Sequence, residues 1–341
     1  MLRHAFSNQR GQRRRGKFGT VLIALTMLAS TSGCGLLSGE EESSNASGET
    51  TKVKVSIMPT IDLAPFHLAA KNGYFKEEGL DVEIVNAPSG QASVTKMIAG
   101  EVDISYSSYT PFFIAEAGKV AEKDGNIKIV ADASSAAPGS TMVVAMPDSP
   151  VKKVTDLPGK KIAITGQNTI CDTLIKSVMK TNGLDFNGIQ WVDIPFPEMS
   201  KALANGEVDA AFMTEPFITQ SAKTVGSVPV VDTASGPTQD FPTAGYASLG
   251  KFANENPKAV GAFQRALQKA TVESEDRSKI EPLMVEFSKV DADTAALTKL
   301  LQFQSKPDPS RLQRVPDLLL EFGTIGQALD VEQMIAKATD A

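Results

Sequence analysis

Hydrophobic positions in residues 53–106 change regularly between the spacing of strands and that of helices. Val53-Lys54-Val55-Ser56-Ile57-Met58 alternates in character and is rich in β-branched residues, which predicts a strand. Asn72-Gly73 is a typical signal for the end of the helix that follows. The pattern gives the order β-loop-α-β-α-β, with strands predicted at 53–58, 82–85 and 102–106 and helices at 64–71, 74–78 and 89–98.

The same order of elements recurs in the second part of the chain. Gly206-Glu207-Val208-Asp209 repeats Gly100-Glu101-Val102-Asp103 letter for letter, and a Pro-Phe pair follows each copy. Because the match lies within two units of the same element order, it predicts an internal structural repeat. In the second unit, strands are predicted at 161–164 and 189–194 and helices at 171–181 and 198–204.

Strands that alternate with helices predict a mostly parallel sheet with helices on both faces, and two such units predict an α/β protein of two lobes. The pattern of residues 243–341 is different and predicts an all-helical tail that packs back on the first lobe. We therefore expect lobe 1 at 53–140, lobe 2 at 141–242, and a return to lobe 1 with C-terminal helices at 243–341. The helices of this tail are predicted at 257–271, 278–289, 292–303, 310–322 and 331–339.

Residues 1–33 have the order of regions that is typical of a secretory signal. Six basic residues precede an apolar run at 18–29, and the segment contains no acidic residue. That run is shorter than the about 20 residues that a transmembrane helix needs. Cys34 follows small residues in a way that resembles a bacterial lipobox, which implies cleavage before Cys34 and a lipid on its sulfur. The alternative is an ordinary cleaved signal in which Cys34 is incidental. Residues 34–52 are mostly polar and predict a disordered tether.

The overall composition is that of a globular protein, with 42% hydrophobic and 22% charged residues among 341. Without residues 1–33 the chain has 28 basic and 40 acidic residues and a formal charge of −12. An acidic surface disfavours binding to nucleic acid, because neutralising phosphates requires basic residues. Two cysteines and two histidines exclude a disulfide framework and leave little material for a metal site.

Candidate binding residues lie in loops at the carboxyl ends of the predicted strands, where open parallel sheets bind ligands. Four loops qualify, two from each half, and they could face each other across a cleft. They are Pro59–Asp62, Ser107–Tyr109, Thr165–Thr169 and Thr214–Phe217. The starts of helices at Ser89-Gly90 and Thr165–Thr169 add free backbone N–H groups for a polar or anionic group, although each is also explained as a plain helix cap. The candidate ligand-binding residues are Thr60, Asp62, Phe66, Ser89, Gly90, Ser107, Ser108, Tyr109, Thr165, Gln167, Asn168, Thr169, Thr214, Glu215 and Phe217.

The common catalytic and nucleotide-binding motifs are missing from the sequence, which contains no G-x-S-x-G, no G-x-x-x-x-G-K-[ST] and no H-E-x-x-H. We therefore expect no catalytic residues, no cofactor and no metal. His67 is either a hydrogen-bonding residue of the pocket or a residue of a helix face. Asp62 and Glu215 either pair with a ligand amine or serve their own loops. Cys171 is most simply a small buried residue.

The stretch Ala64–Glu83, with its G-Y-F-K-E-E-G-L-D-V run, resembles the substrate-binding proteins of nitrate/sulfonate/taurine-type ABC importers. These proteins share a fold with thiamine-pyrimidine precursor-binding proteins. Asp156–Ala163 is similar to the start of their second lobe, and Gly206–Phe217 to a later strand and pocket loop. The resemblance implies a two-lobed periplasmic-binding-protein-like fold of type II. It also implies a protein outside the cytoplasm that closes on a small solute and delivers it to an ABC permease and ATPase.

The sequence leaves the ligand open. The four loops contain no Arg or Lys, which disfavours a doubly charged anion. Asp62 and Glu215 favour an amine or an aminopyrimidine, and a zwitterionic aminosulfonate would satisfy both kinds of group. A sulfonate alone would depend on helix N-termini and on the hydroxyls of Ser107, Ser108, Thr165 and Thr169.

Two other functions are compatible with the same scaffold. One is a pyrimidine-synthesising enzyme, a relative of this fold that depends on histidine, a lysine-bound cofactor and a cysteine cluster. After removal of the signal this chain retains one histidine, His67, and one cysteine besides Cys34. The other is a sensory lipoprotein that binds a solute without transporting it.

We expect a solute-binding lipoprotein anchored on the extracytoplasmic face of the cell membrane.

Overall fold

Two β-sheets flanked by helices make up the part of the chain that the computed structural model describes, residues 50–337. The strands of the first sheet are β1 (Thr51–Ile57), β2 (Leu80–Asn86), β3 (Ile104–Ser108), β4 (Ile127–Ser135), β10 (Pro242–Leu249) and β11 (Gln302–Phe303). The strands of the second are β5 (Thr141–Ala145), β6 (Lys161–Ile164), β7 (Gln190–Asp193), β8 (Ala210–Thr214) and β9 (Val228–Asp232). We call the parts built around these sheets lobe 1 and lobe 2.

The α-helices alternate with the strands in both lobes and then follow one another near the C-terminus. Those between strands are α1 (Ala64–Lys71), α2 (Tyr74–Glu77), α3 (Gly90–Ile98), α4 (Tyr109–Ala117), α5 (Ile170–Thr181), α6 (Phe196–Ala204) and α7 (Phe217–Val225). Those of the C-terminal region are α8 (Gly250–Glu255), α9 (Pro257–Glu273), α10 (Arg277–Ser288), α11 (Ala292–Leu297), α12 (Pro309–Glu321) and α13 (Val331–Met334).

The two sheets have the same strand order, apart from the short β11 at one edge. Written from corresponding edges, the first sheet runs β2-β1-β3-β10-β4-β11 and the second runs β7-β6-β8-β5-β9. In the first, β1 is parallel to β2 and β3, whereas β10 is antiparallel to β3 and β4. In the second, β6 is parallel to β7 and β8, whereas β5 is antiparallel to β8 and β9. The predicted fold class, an α/β protein with two sheets flanked by helices, is confirmed. Both sheets are mixed, because an antiparallel strand lies within each, β10 in the first and β5 in the second.

The chain crosses between the lobes twice, and each crossing supplies the central antiparallel strand of the sheet that it enters. Residues 136–140 lead from β4 into β5, and residues 233–241 lead from β9 into β10. The two crossing segments lie side by side, since the Ala136 N–H donates to the Phe241 carbonyl at 2.9 Å. Two adjacent segments of this kind form the only covalent connection that the described residues provide between the two sheets.

The internal repeat is present down to individual hydrogen bonds. The Asp103 carboxylate accepts from the Lys54 N–H at 2.8 Å, and the Asp209 carboxylate accepts from the Lys161 N–H at 2.9 Å. In return, the Asp103 and Asp209 N–H groups donate to the carbonyls of the same two lysines, each at 2.9 Å. The repeated Gly-Glu-Val-Asp motif therefore fixes the entry of the third strand beside the first strand in both lobes.

The structure corrects the prediction of an all-helical region after residue 242. Residues 242–249 form β10, a buried strand at the centre of the first sheet. The helix expected at 292–303 ends at Leu297, and Gln302–Phe303 pairs with β4. The small residues of β10 are buried on both faces and so show no alternation, which explains why the pattern did not reveal it. β1 begins at Thr51, so residues 51 and 52 of the tether expected at 34–52 belong to a strand.

The segment formed by α10, α11 and the residues up to 301, here called the arm, packs against the loop that follows β1. Ile61 and Ala64 share a small hydrophobic cluster with Ile280, Ala295 and Leu301, separate from the main core. The arm thereby reaches the edge of the cleft between the lobes. The expected signal at 1–33 and the lipid site Cys34 lie outside the described residues. The helix expected at 331–339 ends at Met334, and its residues 338 and 339 also lie outside the described part of the chain.

Candidate functional site

A cavity lies at the carboxyl ends of the strands, between the two lobes, and has a volume of about 50 Å³. This is several times the space that one water molecule needs. Seven of the predicted site residues line it, four from lobe 1 and three from lobe 2: Thr60, Asp62, Gly90, Ser108, Thr165, Thr169 and Thr214. The cavity walls therefore include at least one residue from each of the four loops named from the sequence.

Three predicted aromatic residues belong to the core and do not face the cavity. Phe66 packs in an aromatic cluster with Phe75 and Tyr246. The Tyr109 hydroxyl donates to Asp132 Oδ1 at 2.7 Å within lobe 1. Phe217 stacks on Phe196, which does line the cavity, with ring centroids 5.4 Å apart. These side chains support the walls of the cavity from behind.

Five predicted polar residues also lie outside the cavity lining: Ser89, Ser107, Gln167, Asn168 and Glu215. Ser89 accepts from the Ala92 N–H at 3.2 Å and is the N-cap of α3. Ser107 is buried beneath Gly90, and its hydroxyl has no hydrogen-bond partner among the described residues. Gln167 and Asn168 are exposed at the mouth of the cleft. The Gln167 carbonyl accepts a hydrogen bond from lobe 1 and thus has a role between the lobes.

Glu215 is buried, and its carboxylate is fully occupied by donors of the protein. It accepts from the Thr219 N–H at 3.1 Å, from the Thr219 hydroxyl at 2.8 Å and from the Lys299 N–H at 3.2 Å. Its carbonyl accepts from the Ile61 N–H of lobe 1 at 3.4 Å. Burial raises the pKa of Glu215, although these donors oppose the change. Glu215 therefore joins lobe 2 to the arm and to the first loop of lobe 1.

Asp62 is the acidic residue that lines the cavity. Its side chain is 7% exposed, and Oδ2 accepts from the Ser134 hydroxyl at 3.2 Å. Oδ1 is buried and has no hydrogen-bond partner among residues 50–337. Burial, the negative charge of Asp62 and the approach of its carboxylate to the Tyr106 hydroxyl raise the pKa of Tyr106 well above its usual value. The Tyr106 hydroxyl makes its hydrogen bond with Thr60, at 3.1 Å.

In lobe 2 the cavity is bounded by the start of α5. The Thr169 hydroxyl accepts from the Cys171 N–H at 3.3 Å, and the Thr169 N–H donates to Asp172 at 2.8 Å, which forms a capping box. The Cys171 thiol lies 3.3 Å from the Thr165 hydroxyl and lines the cavity. Burial raises the pKa of this thiol, so it is a neutral wall group. Asp172 pairs with Lys176 at 2.6 Å, behind the wall.

Sequence reasoning missed ten lining residues. Several come from strands that were not predicted, or from the arm, and no local signal placed them beside the loops. Met58 and Tyr106 lie within predicted strands and Cys171 begins a predicted helix, but no local pattern indicated that they face the cavity. The ten are Met58, Tyr106, Thr141, Ile170, Cys171, Phe196, Phe212, Thr243, Ala244 and Leu301.

His67 lies outside the cavity, on α1. Its ring stacks on Phe287 of the arm, with centroids 4.2 Å apart and planes at 8°. Burial lowers the pKa of His67 to about 4, against a smaller opposing effect of Glu286. Within residues 50–337 no helix is long and apolar enough to cross a membrane, and no cluster of His, Cys, Asp or Glu is arranged to hold a metal ion.

Known relatives include both binding proteins and an enzyme. The chain is 27% identical over 258 residues to a protein of Bacillus subtilis (strain 168) whose name assigns it provisionally to aliphatic sulfonate binding, covering 74% of this chain and 72% of that protein. It is 28% identical over 221 residues to the 4-amino-5-hydroxymethyl-2-methylpyrimidine phosphate synthase of Aspergillus parasiticus, covering 61% of each chain. The relatives therefore leave the ligand of this chain open.

The fold matches that of a solved periplasmic-type binding protein, as the sequence predicted. The alkanesulfonate-binding protein SsuA of Xanthomonas axonopodis pv. citri, bound to MOPS, superimposes with a TM-score of 0.73 at 16% identity. The match covers 85% of this chain and 99% of that protein. Residues 60–274 match the model of the family described as NMT1/THI5 like. With this match over more than half its length, the chain belongs to the NMT1/THI5-like family.

Proposed function

We propose that this protein is the solute-binding component of an ABC importer. It captures a small polar organic solute between its lobes outside the cytoplasm and delivers it to a permease and its ATPase. In this proposal residues 1–33 are a signal peptide, and the protein is held at the cell membrane by a lipid on Cys34. The observation that carries the proposal is a cavity lined by strand-end loops of both lobes, at the place where a solute would contact both at once.

Contacts across the cleft support closure as the working motion. The side-chain amide of Gln91 in lobe 1 donates to the Gln167 carbonyl of lobe 2. Lys223 of α7 pairs with Asp291 of the arm at 2.5 Å and with Asp293 at 3.4 Å. A solute that touches both lobes adds to these contacts only when the cleft is closed, so its differential affinity shifts the protein towards the closed state.

The two crossing segments are suited to act as the hinge. They are short and adjacent, and each leads directly into a central strand of the opposite sheet. The Gly139 N–H donates to Asp232 at 3.1 Å, and the Thr233 N–H donates to the Thr141 carbonyl at 3.1 Å. Rotation about these few residues would separate the cavity walls without disturbing either sheet.

Solute capture is tested by measuring thermal stability with a panel of small amines, aminopyrimidines, sulfonates and aminosulfonates. A solute at 100 times its Kd adds about 2.7 kcal/mol to the free energy of unfolding. The same solute should make the protein more compact in small-angle X-ray scattering. If no solute in the panel raises the melting temperature, or if binding leaves the scattering profile unchanged, the proposal is refuted.

The enzyme alternative is favoured by the Aspergillus parasiticus relative. Among residues 50–337, however, no lysine or histidine lines the cavity. The lysine-bound cofactor of that enzyme type would therefore need a group from elsewhere. Pyridoxal absorbance in the purified protein would support the enzyme, and its absence together with reversible solute binding would support capture. Loss of solute uptake on deletion of the protein would separate transport from sensing.

A further inference from the structure

The buried acids of the described residues differ in how their charges are satisfied. Four are buried: Asp62, Asp132, Asp172 and Glu215. Asp132 and Asp172 each lie against a basic side chain, and Glu215 accepts three hydrogen bonds. Asp62 accepts from the Ser134 hydroxyl at 3.2 Å through Oδ2 and lies near the Tyr106 hydroxyl, but its Oδ1 has no hydrogen-bond partner within residues 50–337. A buried carboxylate oxygen that receives no hydrogen bond is unfavourable in surroundings of low polarity, so Oδ1 calls for a donor.

The cavity around Asp62 offers no cation of its own. Of the lining residues, which all belong to the described part of the chain, none is lysine, arginine or histidine. The walls combine hydroxyl groups with apolar side chains, among them Met58, Phe212 and Leu301. An oxyanion bound here would lie near a carboxylate in a site of low polarity, where like charges repel strongly.

We propose that the solute carries a protonated amine or an N–H-rich nitrogen base, and that Asp62 Oδ1 is the group that selects it. This inference rests on the proposed function and narrows it to one ligand class. A nitrogen donor in the cavity supplies the hydrogen bond that Asp62 Oδ1 receives from no described residue. Hydroxyl groups such as those of Ser108 and Thr214 then accept or donate at the remaining polar positions, and the apolar wall covers the body of the solute.

The test compares two nitrogen bases, ethylamine and 4-aminopyrimidine, with an oxyanion, ethanesulfonate. Binding to the full-length protein is measured by calorimetry and by thermal shift. We expect at least one nitrogen base to bind and ethanesulfonate not to bind. Asp62→Asn keeps the shape of the side chain and removes its charge, and should weaken binding of the base about 100-fold. Asp193→Asn, which removes the same charge from an exposed position at the end of β7, should leave the affinity unchanged.

A second readout separates selection from a purely structural role. If Oδ1 is kept for a ligand, Asp62→Asn should raise the melting temperature of the free protein by about 2 °C or more, because an unpaired buried charge is removed. If Asp62 serves only to accept from Ser134, the variant should be less stable and the inference fails. Should the variant not fold, the probe preference of the unmodified protein still decides the matter.

The outcomes distinguish the inference from the function beneath it. Binding of ethanesulfonate with no dependence on Asp62 overturns the ligand class and leaves solute capture intact. Absence of binding by all three probes and by the wider panel overturns both. Binding of a nitrogen base that is lost in Asp62→Asn and retained in Asp193→Asn supports both.

Discussion

Replacing His67 by glutamine should remove a large part of the acid sensitivity of this protein. Burial lowers the pKa of His67 to about 4 from 6.5, and Nε2 is buried with no hydrogen-bond partner among the described residues. The unfolded chain therefore takes up a proton at a higher pH than the folded protein does. The resulting stability is fully present above pH 6.5 and is lost as the pH falls towards 4.

The magnitude follows from the two pKa values. At 1.36 kcal/mol for each pH unit, the loss attributable to His67 is about 2 kcal/mol at pH 5 and about 3 kcal/mol at pH 4. Protonation favours exposure of the buried imidazole to water, and this exposure separates His67 from Phe287 and so weakens the attachment of the arm, which carries Leu301 to the cavity.

Urea unfolding of the unmodified protein and of His67→Gln, at several pH values between 7.5 and 4, measures this effect. The variant loses the ring stacking and should be less stable at pH 7.5, yet its stability should fall less steeply with acid. Taking the difference between the two proteins removes the contribution of Glu215 and the other carboxyl groups. Equal acid dependence in both proteins would refute the reasoning about His67.

Three further results are expected. Gly245→Ala places a Cβ 2.6 Å from the Tyr109 ring, so thermal unfolding should show a loss of about 1–3 kcal/mol. A melting temperature equal to that of the unmodified protein would show that the Tyr109 ring moves aside without cost and would contradict this prediction. Burial raises the pKa of Cys171, so iodoacetamide at pH 8 should label the native thiol at least about 10-fold more slowly than the unfolded one, and more slowly still with solute bound. Asp103→Ala and Asp209→Ala should each lower the stability by about 1–2 kcal/mol in urea unfolding, because they remove equivalent hydrogen bonds. A large difference between the two would contradict the equivalence of the repeats.

The position of the cavity suggests how selectivity can vary within one family. Its walls come from loops, from crossing strands and from the arm, while the sheets behind them are held by the repeated aspartate contacts. A change at a position such as Asp62 alters the charge that lines the cavity without disturbing those contacts. Relatives named for sulfonates and for pyrimidine chemistry are compatible with a shared frame and different wall residues.

The sequence by itself determined the class of fold and the four loops that contribute to the cavity lining. Periodicity reports which side of an element is buried, and the repeated Gly-Glu-Val-Asp motif reported that the chain builds the same unit twice. Strand ends of parallel sheets converge at one edge, so the four loops followed from the order of elements alone.

Only the tertiary structure decided what faces the cavity. β10 is buried on both faces and shows no alternation, so Thr243 and Ala244 could not be assigned to the site from their neighbours in sequence. Asp62 and Glu215 look alike as loop acids, and they differ because donors from a distant arm satisfy Glu215 while Asp62 Oδ1 receives none from the described residues. Hydrogen-bond satisfaction depends on residues far apart along the chain, and a local pattern carries no information about them.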